Sequence, residues 1–401
     1  MYFPKEAPPT LEALEALWAP YAGVFIGSLL ISLLLTPMFR ALAIRMGVYD
    51  MPDKMLKPHG RPIPYLGGLA IFLGIILPLV TMALLGKAGN TRGLLAVAIG
   101  ATIVTGAGLL DDLVSLKPGH KILFQITGAL VLAAGGVVFR AMPWELAGLP
   151  LDSASPELAV AAGILVQVFL VVAACNATNL LDGLDGLCSG VAAIIGIGFL
   201  LLATSITGWY QWGDAPGYTF SVPIIVISLA LLGAAIGFLP YNFNPASIFM
   251  GDAGSMLLGF ICAAMVIMFS ERPGLLKWCI SAMFIFGLPF FDTGLAFTRR
   301  WLNGKPIFQG DRSHFYDQLV DRGLSVKQAV LVCYGLALFF VCMGLGLLFV
   351  RTRYAFVIAV FVIVAIAVIV KKAGMLRVDR QAAPGTPVGT DDDRIASTRP
   401  E

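Results

Sequence analysis

The stretch ILVQVFLVVAACNATNLLDGLDGL (164–187) joins an apolar run to a cluster of asparagines and aspartates. Its first twelve residues are typical of a helix inside a lipid bilayer. Asp182 and Asp185 follow within ten residues, although a carboxylate is costly in hydrocarbon. The stretch therefore predicts a membrane span that ends at a wet surface, with a polar site beside that end.

The composition of the 401-residue chain supports the same interpretation. Hydrophobic residues make up 58% and charged residues only 13%, whereas soluble proteins typically carry about 25% charged residues. We therefore predict an all-α, polytopic integral membrane protein. The net charge of +3 is too small to indicate a nucleic-acid partner. The six cysteines include no C-x-x-C pair and predict neither a zinc site nor a disulfide.

Eleven apolar segments predict about eleven transmembrane helices, since a span needs roughly 20 residues. They are residues 20–40, 65–86, 93–110, 121–140, 158–175, 188–208, 221–240, 253–270, 277–297, 328–350 and 354–370. These limits define an N-terminal segment (1–19), a transmembrane domain (20–371) and a disordered cytoplasmic tail (372–401).

The distribution of basic residues predicts the orientation of these spans. The loops after spans 1, 3, 5, 7 and 9, together with the tail, hold 19 of the 27 lysines and arginines, and the opposite side holds 8. Because basic residues are retained in the cytoplasm, we expect the N-terminus outside and the C-terminus in the cytoplasm of an inner-membrane protein.

The polar clusters all fall on the predicted cytoplasmic side. They lie in residues 50–68, 108–121, 176–187, 241–255 and 299–325. A cation-coupled transporter, the alternative of another class, is expected to bury charges near the middle of the membrane. Acids collected at one face instead favour an enzyme at which a water-soluble substrate meets a lipid.

The cluster at residues 108–121 indicates a site for phosphate and a metal ion. Asp111 and Asp112 end a predicted helix, and Lys117 and Lys121 follow closely. This pattern suits a metal-containing phosphate site, but an interfacial cap with snorkelling lysines explains it equally well.

The asparagines and aspartates of 176–187 lie on common helix faces. Asn176 and Asn179 are three residues apart, as are Asp182 and Asp185. Such oxygen ligands suit Mg²⁺, which usually takes one or two protein carboxylates and substrate phosphates. The alternative is a polar turn between two spans.

Two further clusters complete the predicted site. Asp252 begins span 8, where it is either an ordinary helix cap or a metal ligand. For Phe249, just before it, the two alternatives are stacking on a flat ring of a ligand and an ordinary position in the core. Arg299, Arg300 and the Arg312–His314 stretch suit phosphate oxygens, although membrane topology alone also explains basic residues there.

These motifs together resemble the polyprenyl-phosphate N-acetylhexosamine-1-phosphate transferases, over residues 20–350. The resemblance rests on D-D at 111–112, N-x-x-N-x-x-D-G-x-D-G-L at 176–187, Y-N-x-x-P-A followed by F-M-G-D-x-G-S at 241–255, and the basic loop that contains His314. It implies ten or eleven spans, a homodimer, Mg²⁺ (with Mn²⁺ as the alternative ion), and transfer from a UDP-amino-sugar to undecaprenyl phosphate with release of UMP.

The resemblance also implies roles for individual residues. The metal ligands are Asp252 and Asp185, and the catalytic carboxylates are Asp111, Asp112 and Asp182. Asp111 steers or deprotonates the lipid phosphate, in one step or through a covalent aspartyl-phosphate. The implied substrate-binding residues are Lys117, Lys121, Asn176, Asn179, Asn242, Phe249, Arg312, His314 and His59.

Two local sequences bear on the branch of the family. The stretch from His59 to Gly68 reads H-G-R-P-I-P-Y-L-G-G, which is similar to the branch that uses UDP-N-acetylglucosamine and differs from phospho-N-acetylmuramoyl-pentapeptide transferase, the alternative. Residues 314–317 read His-Phe-Tyr-Asp, whereas this loop of the family is rich in histidine. The position of Asp317 suggests that another polar group does part of the work.

Overall fold

The computed structural model describes residues 10–51, 62–87, 89–141, 155–210, 218–271, 276–304 and 314–376. Within these ranges the chain forms fourteen α-helices, two 3₁₀ turns and one two-stranded β-ribbon, which confirms the all-α class. The helices are α1 (Leu11–Trp18), α2 (Ala22–Met46), α3 (Gly67–Leu84), α4 (Thr91–Val114), α5 (Pro118–Ala134), α6 (Pro156–Leu181), α7 (Leu187–Tyr210), α8 (Tyr218–Asn242), α9 (Gly251–Ser270), α10 (Leu276–Ile285), α11 (Gly287–Leu302), α12 (Phe315–Asp321), α13 (Val326–Gly346) and α14 (Thr352–Lys372). In the ribbon, Tyr49–Asp50 pairs with Ile63–Pro64.

Nine membrane-length apolar segments occur in the described chain, with α1 and α2 counted as one. Together α10 and α11 form a tenth, although they meet at a bend of 73°. Helix α5 has 17 residues and is about 26 Å long at 1.5 Å per residue, which is short for a hydrocarbon core of about 30 Å. The polytopic fold is confirmed, and about eleven spans are reached only if the bent pair and α5 are both included. The orientation stays a prediction.

The bend between α10 and α11 has a local cause. Pro289 has no backbone N–H to donate to the carbonyl of Ile285, and its ring would clash with that carbonyl. Helix α10 accordingly ends at Ile285 and α11 begins at Gly287, with the proline in its first turn, where it is tolerated. The predicted span 277–297 is therefore two helices.

Helix α9 is the centre of the bundle. All its residues except Asp252 are buried, and it packs against α3, α4, α6, α8 and α10. A helix that is apolar around its whole circumference is typical of a buried core or a membrane span. Asp252, at the start of α9, is the one charged residue of this helix and the one that is not buried.

A glycine lets α4 approach the start of α9 backbone to backbone. A Cβ atom at Gly108 would lie 2.5 Å from the backbone nitrogen of Ala253 and from the backbone carbonyl of Asp252. Neither atom can rotate away, because both belong to the main chain of a buried helix. Gly108 therefore fixes the spacing between the acidic end of α4 and Asp252.

Replacing Gly108 with alanine is expected to destabilise the protein by about 1–3 kcal/mol, the usual cost of overpacking. Gly106 on the same helix is the matched control, because a Cβ there meets nothing within 4 Å and alanine favours a helix. Thermal unfolding in detergent should place G108A below wild type and G106A at or above it. Equal midpoints for the two variants would contradict the close approach.

Candidate functional site

The start of α9 is tied to the segment before α3. Phe249 donates its backbone N–H to the carbonyl of Pro64 (2.9 Å), and Gly67 and Gly68 donate theirs to the carbonyls of Phe249 and Met250 (3.0 Å each). These bonds place the motif that follows the ribbon directly beside F-M-G-D-x-G-S. Two stretches that are almost 200 residues apart in sequence thus share one end of the bundle.

Asp112 caps α9 from the end of α4. Its Oδ1 accepts the backbone N–H of Asp252 at 2.8 Å, and its Oδ2 accepts that of Ala253 at 3.1 Å. The first N–H groups of a helix have no partner within the helix and carry a partial positive charge. The carboxylate that was predicted to be catalytic therefore has both oxygens committed to holding α9.

Lys121 joins the acids of α4 and α9. Its Nζ lies 2.6 Å from Asp111 Oδ2 and 2.6 Å from Asp252 Oδ2. Asn179, from α6, donates to Asp252 Oδ1 at 2.8 Å. Asp111 also accepts the backbone N–H of Leu116 at 2.7 Å through Oδ1, so its carboxylate is fixed at both oxygens. Four helices thus contribute to one partly exposed ionic cluster, which we call the Lys121 cluster (Asp111, Lys121, Asn179, Asp252).

Asp182 lies next to this cluster, immediately after the end of α6. Burial raises its pKa well above the usual range, and the negative charges of Asp252, Asp112 and Asp185 raise it further. Within the described residues its carboxylate has no hydrogen bond or ion pair. Asp182 is therefore a carboxyl group with available oxygens among other acids.

Asp185 faces a different segment. Its Oδ2 accepts the side-chain amide of Asn244 and the backbone N–H of Ala246, both at 2.9 Å. This anchoring ties the 182–186 turn to the loop before α9. The assignment of Asp185 as a metal ligand stays a prediction, and its Oδ2 is already occupied by these two donors.

The predicted substrate contacts Asn242 and Asn176 are occupied inside the protein. Asn242 is 2% exposed; its Oδ1 accepts from Gly186 N and Ser189 Oγ, and its Nδ2 donates to the carbonyl of Ile248. Asn176 donates to Gln125 Oε1 at 2.9 Å and so links α6 to α5. Both amides thus help to hold the elements around the site, and their direct contact with substrate stays a prediction.

Tyr65 and Asp50 are neighbours of the site that the sequence analysis did not select. The Tyr65 hydroxyl donates to Asp50, and burial together with the charges of Asp50, Asp112 and Asp252 keeps the Tyr65 pKa far above its usual value. The Tyr65 ring lies 6.3 Å from the partly exposed ring of Phe249. The sequence offered Tyr65 within I-P-Y-L-G-G as a polar residue in this motif. Its spacing alone did not distinguish a residue of the site from a residue of the core.

His314 is paired with Asp292, an acid that was not predicted to belong to the site. Its Nδ1 is 2.7 Å from Asp292 Oδ2, and Asp292 is fully buried in α11. Burial lowers the His314 pKa, but the hydrogen bond and charge of Asp292 raise it more, and the net pKa is above the usual value. The signal for Asp292 was a single carboxylate in the apolar run FGLPFFDTGLAF, which marks a functional residue.

The residues that follow His314 have structural tasks. Asp317 accepts the backbone N–H of His314 at 3.3 Å at the start of α12. Tyr316 donates its hydroxyl to the carbonyl of Leu180 at 2.9 Å. Its ring covers Gly183, where a Cβ atom would collide with it. Tyr316 thus docks α12 onto the turn that carries Asp182.

Three predicted substrate contacts are not part of the Lys121 cluster in the described structure. Lys117 is exposed at the start of α5 and has no polar partner in the described chain. His59 and Arg312 lie outside the described residues. No group of three His, Cys, Asp or Glu side chains close enough to enclose a metal ion occurs among the residues that the structure describes.

An apolar cavity of about 570 Å³ lies between α10, α11, α13 and α14. Its walls include Phe284, Phe291, Leu295, Phe340, Ile363 and Ile366. Phe291 and Leu295 flank Asp292 on α11, and the Phe291 ring packs edge-on against Phe315 at 5.6 Å. The cavity therefore runs past the turn of α11 that carries Asp292 and continues along the apolar helices.

Comparison with known proteins agrees with this arrangement. Residues 94–270 match glycosyl transferase family 4. A probable undecaprenyl-phosphate N-acetylglucosaminyl 1-phosphate transferase of Bacillus subtilis (strain 168) is 34% identical over 310 residues, which cover 77% of this chain and 80% of the relative. The chain belongs to glycosyl transferase family 4.

Other relatives of this family 4 enzyme distinguish the two branches. A decaprenyl-phosphate N-acetylglucosaminephosphotransferase of Mycobacterium tuberculosis (strain ATCC 25618 / H37Rv) is 33% identical over 315 residues, 74% of each chain. A phospho-N-acetylmuramoyl-pentapeptide-transferase of Mycolicibacterium smegmatis is 32% identical but matches 64% of this chain. The family and the branch indicated by residues 59–68 are confirmed, and the transporter alternative is not supported.

Proposed function

We propose that this enzyme transfers N-acetylglucosamine-1-phosphate from UDP-N-acetylglucosamine to undecaprenyl phosphate and releases UMP. The observation that carries the proposal is the Lys121 cluster, in which Lys121 sits between Asp111 and Asp252, the one charged residue of α9. The names of two relatives that align with about three quarters of this chain support the sugar and the class of lipid.

We also propose the cellular setting of the reaction. The distribution of basic residues supports an active site that faces the cytoplasm, with the protein in the inner membrane and the lipid product serving to start a cell-envelope glycan. A homodimer remains part of the proposal on the basis of the family resemblance alone.

The chemistry has to overcome repulsion between two anions. A phosphate oxygen of the lipid attacks the β-phosphorus of the UDP-sugar, a new P–O bond forms, and the bond from the β-phosphorus to the bridging oxygen breaks. The electron pair of that bond leaves with UMP. Lys121 and the exposed Lys117 supply positive charge near the phosphates, and Asn179 keeps Asp252 oriented.

Asp111 acts in this proposal chiefly through Lys121. The second pKa of a phosphate monoester is about 6, so the lipid phosphate is largely a dianion at neutral pH and a base has little to remove. The contacts of Asp111 with Lys121 and Leu116 hold its carboxylate in place. We therefore assign Asp111 the role of positioning the ammonium group that meets the phosphates.

The donor set fits Mg²⁺. The carboxylates of Asp252 and Asp182 are the acids that would hold the ion together with substrate oxygens, in keeping with its use of few protein ligands. The carboxylate oxygens of Asp182, which have no partner in the described chain, support this fit. Asp185, which the family resemblance implies as a ligand, lies close enough for its charge to act on Asp182. When bound, the ion neutralises charge on the diphosphate and on the departing UMP.

The apolar cavity offers a place for the prenyl chain. Its aromatic and aliphatic walls run past the turn of α11 that carries Asp292 and extend along α14, which is mostly exposed. Because the isoprenoid chain enters from the lipid bilayer, van der Waals packing against these walls, and not removal of apolar surface from water, would hold it there. The phosphate at the end of such a chain would lie on the side of the cavity that carries His314.

A panel of UDP-sugars tests the proposed substrate. Purified enzyme in detergent with undecaprenyl phosphate and Mg²⁺ should form labelled lipid from UDP-N-acetylglucosamine, and EDTA should abolish the reaction until Mg²⁺ is restored. UDP-N-acetylmuramoyl-pentapeptide should give no lipid product. If the pentapeptide substrate were used and UDP-N-acetylglucosamine were not, the enzyme would belong to the alternative branch.

A further inference from the structure

The pair of Asp292 and His314 is a buried unit built from two distant parts of the chain. Asp292 is 0% exposed and His314 is 5% exposed. One carboxylate oxygen of Asp292 meets His314 Nδ1 at 2.7 Å, and the other accepts the backbone N–H of Phe315 at 2.6 Å. Asp292 therefore fixes both the imidazole and the backbone at the start of α12.

The face of the His314 ring packs against the ring of Tyr316, which also restricts its orientation. It lies parallel to the ring of Tyr316, with an interplanar angle of 6° and centroids 5.4 Å apart. Tyr316 is in turn anchored to the carbonyl of Leu180, next to the turn that carries Asp182. Because Nδ1 is directed at Asp292, Nε2 is the one ring nitrogen left to bind another partner. No residue in the described part of the chain forms a hydrogen bond with Nε2.

We propose that Asp292 is a positioning residue for substrate recognition: it holds His314 with Nδ1–H directed at its carboxylate and so presents Nε2 to the diphosphate of the UDP-sugar. This inference rests on the proposed function for the identity of the substrate. A carboxylate that receives one ring N–H sets which nitrogen is available and favours a positive charge on the imidazole. A cationic donor held in this way recognises an anionic diphosphate with little loss of side-chain entropy.

Several charged or titratable groups surround the pair and shape its behaviour with pH. Asp292 and Asp317 favour the protonated imidazole, whereas Arg300 and burial oppose it. Tyr316 faces the ring, and Cys333 of α13 lies near Asp292. Because the carboxylates prevail, the protonated form persists above the usual pKa of histidine. Affinity for UDP-sugar is therefore present at lower pH and is lost as pH rises through the raised His314 pKa.

The kinetic test uses Asp292→Asn, His314→Gln and the double variant. D292N should raise KM for UDP-N-acetylglucosamine by about 10- to 100-fold, the value of a hydrogen bond to a charged group, and should leave KM for undecaprenyl phosphate nearly unchanged. The alkaline limb of its kcat/KM profile should move to lower pH. The double variant should be no worse than H314Q, because Asp292 acts through the imidazole. Additive losses, or unchanged KM and pH profile in D292N, would overturn the inference.

A second measurement does not depend on activity. The chain has three histidines, so ¹⁵N-histidine NMR of the full-length protein can assign the His314 ring by its loss in H314Q. We expect wild-type His314 to be protonated at Nδ1, and D292N to shift the ring toward the Nε2–H form. An identical tautomer and titration in both proteins would refute the pairing, whereas failure of the wild type to make labelled lipid would refute the proposed function alone.

Discussion

Replacing Asp252 with asparagine is expected to lower kcat for sugar-phosphate transfer by about a thousandfold. The amide keeps the shape of the side chain and can still meet Asn179, but it loses the negative charge that pairs with Lys121 at 2.6 Å. Removal of one preorganised electrostatic group from an active site typically costs 10²- to 10³-fold. If Asp252 holds Mg²⁺ as proposed, loss of this ligand would add to the cost.

The release of UMP by purified protein measures the effect of D252N. Asp321→Asn is the matched control, because Asp321 is exposed at the end of α12 and lies outside the Lys121 cluster. The control should retain wild-type turnover. Wild-type turnover in D252N itself, at limiting Mg²⁺, would remove Asp252 from the catalytic centre.

Replacing Lys121 with methionine is expected to lower kcat/KM by about a hundredfold or more. The variant loses a charged hydrogen-bond donor that serves two carboxylates, each worth about 1.5–3 kcal/mol, and it leaves Asp111 and Asp252 to repel each other. Stability should fall by about 1–2 kcal/mol. This is less than the 3–5 kcal/mol of a fully buried pair, since the three side chains are 17–23% exposed and water screens them.

Lys327→Met provides the comparison for K121M. Lys327 is exposed in the first turn of α13 and should tolerate the change without loss of turnover or of unfolding midpoint. Assays of lipid product and thermal unfolding on the same preparations separate the two effects. If K121M kept normal activity while its stability fell, Lys121 would be a structural cation only.

The part of the site that the sequence predicted well is the part with local signals. Apolar runs interrupted by Asp111, Asn179 and Asp252 place these residues at the ends of spans, and ends on the same side of a bundle meet. The structure brings the three together around Lys121. Length and polarity along the chain are sufficient for that inference.

Side-chain direction could not be predicted in the same way. Asp111 and Asp112 are adjacent, but only the packing of α4 on α9 at Gly108 turns Asp112 toward the free N–H groups. The inward bonds of Asn242 depend on the turn at Gly186. Asp292 pairs with a residue 22 positions away, a contact that exists only in the tertiary fold.

The most direct measurement follows the β-phosphate itself. Wild-type enzyme is incubated with undecaprenyl phosphate, Mg²⁺ and UDP-N-acetylglucosamine labelled with ³²P at the β-phosphorus, and the lipid and nucleotide fractions are separated. Transfer of sugar-1-phosphate at the Lys121 cluster predicts that the label enters the lipid, that unlabelled UMP is released, and that D252N shows neither. Label that stays in UDP while the sugar reaches the lipid, or labelled lipid formed equally by D252N, would contradict the account.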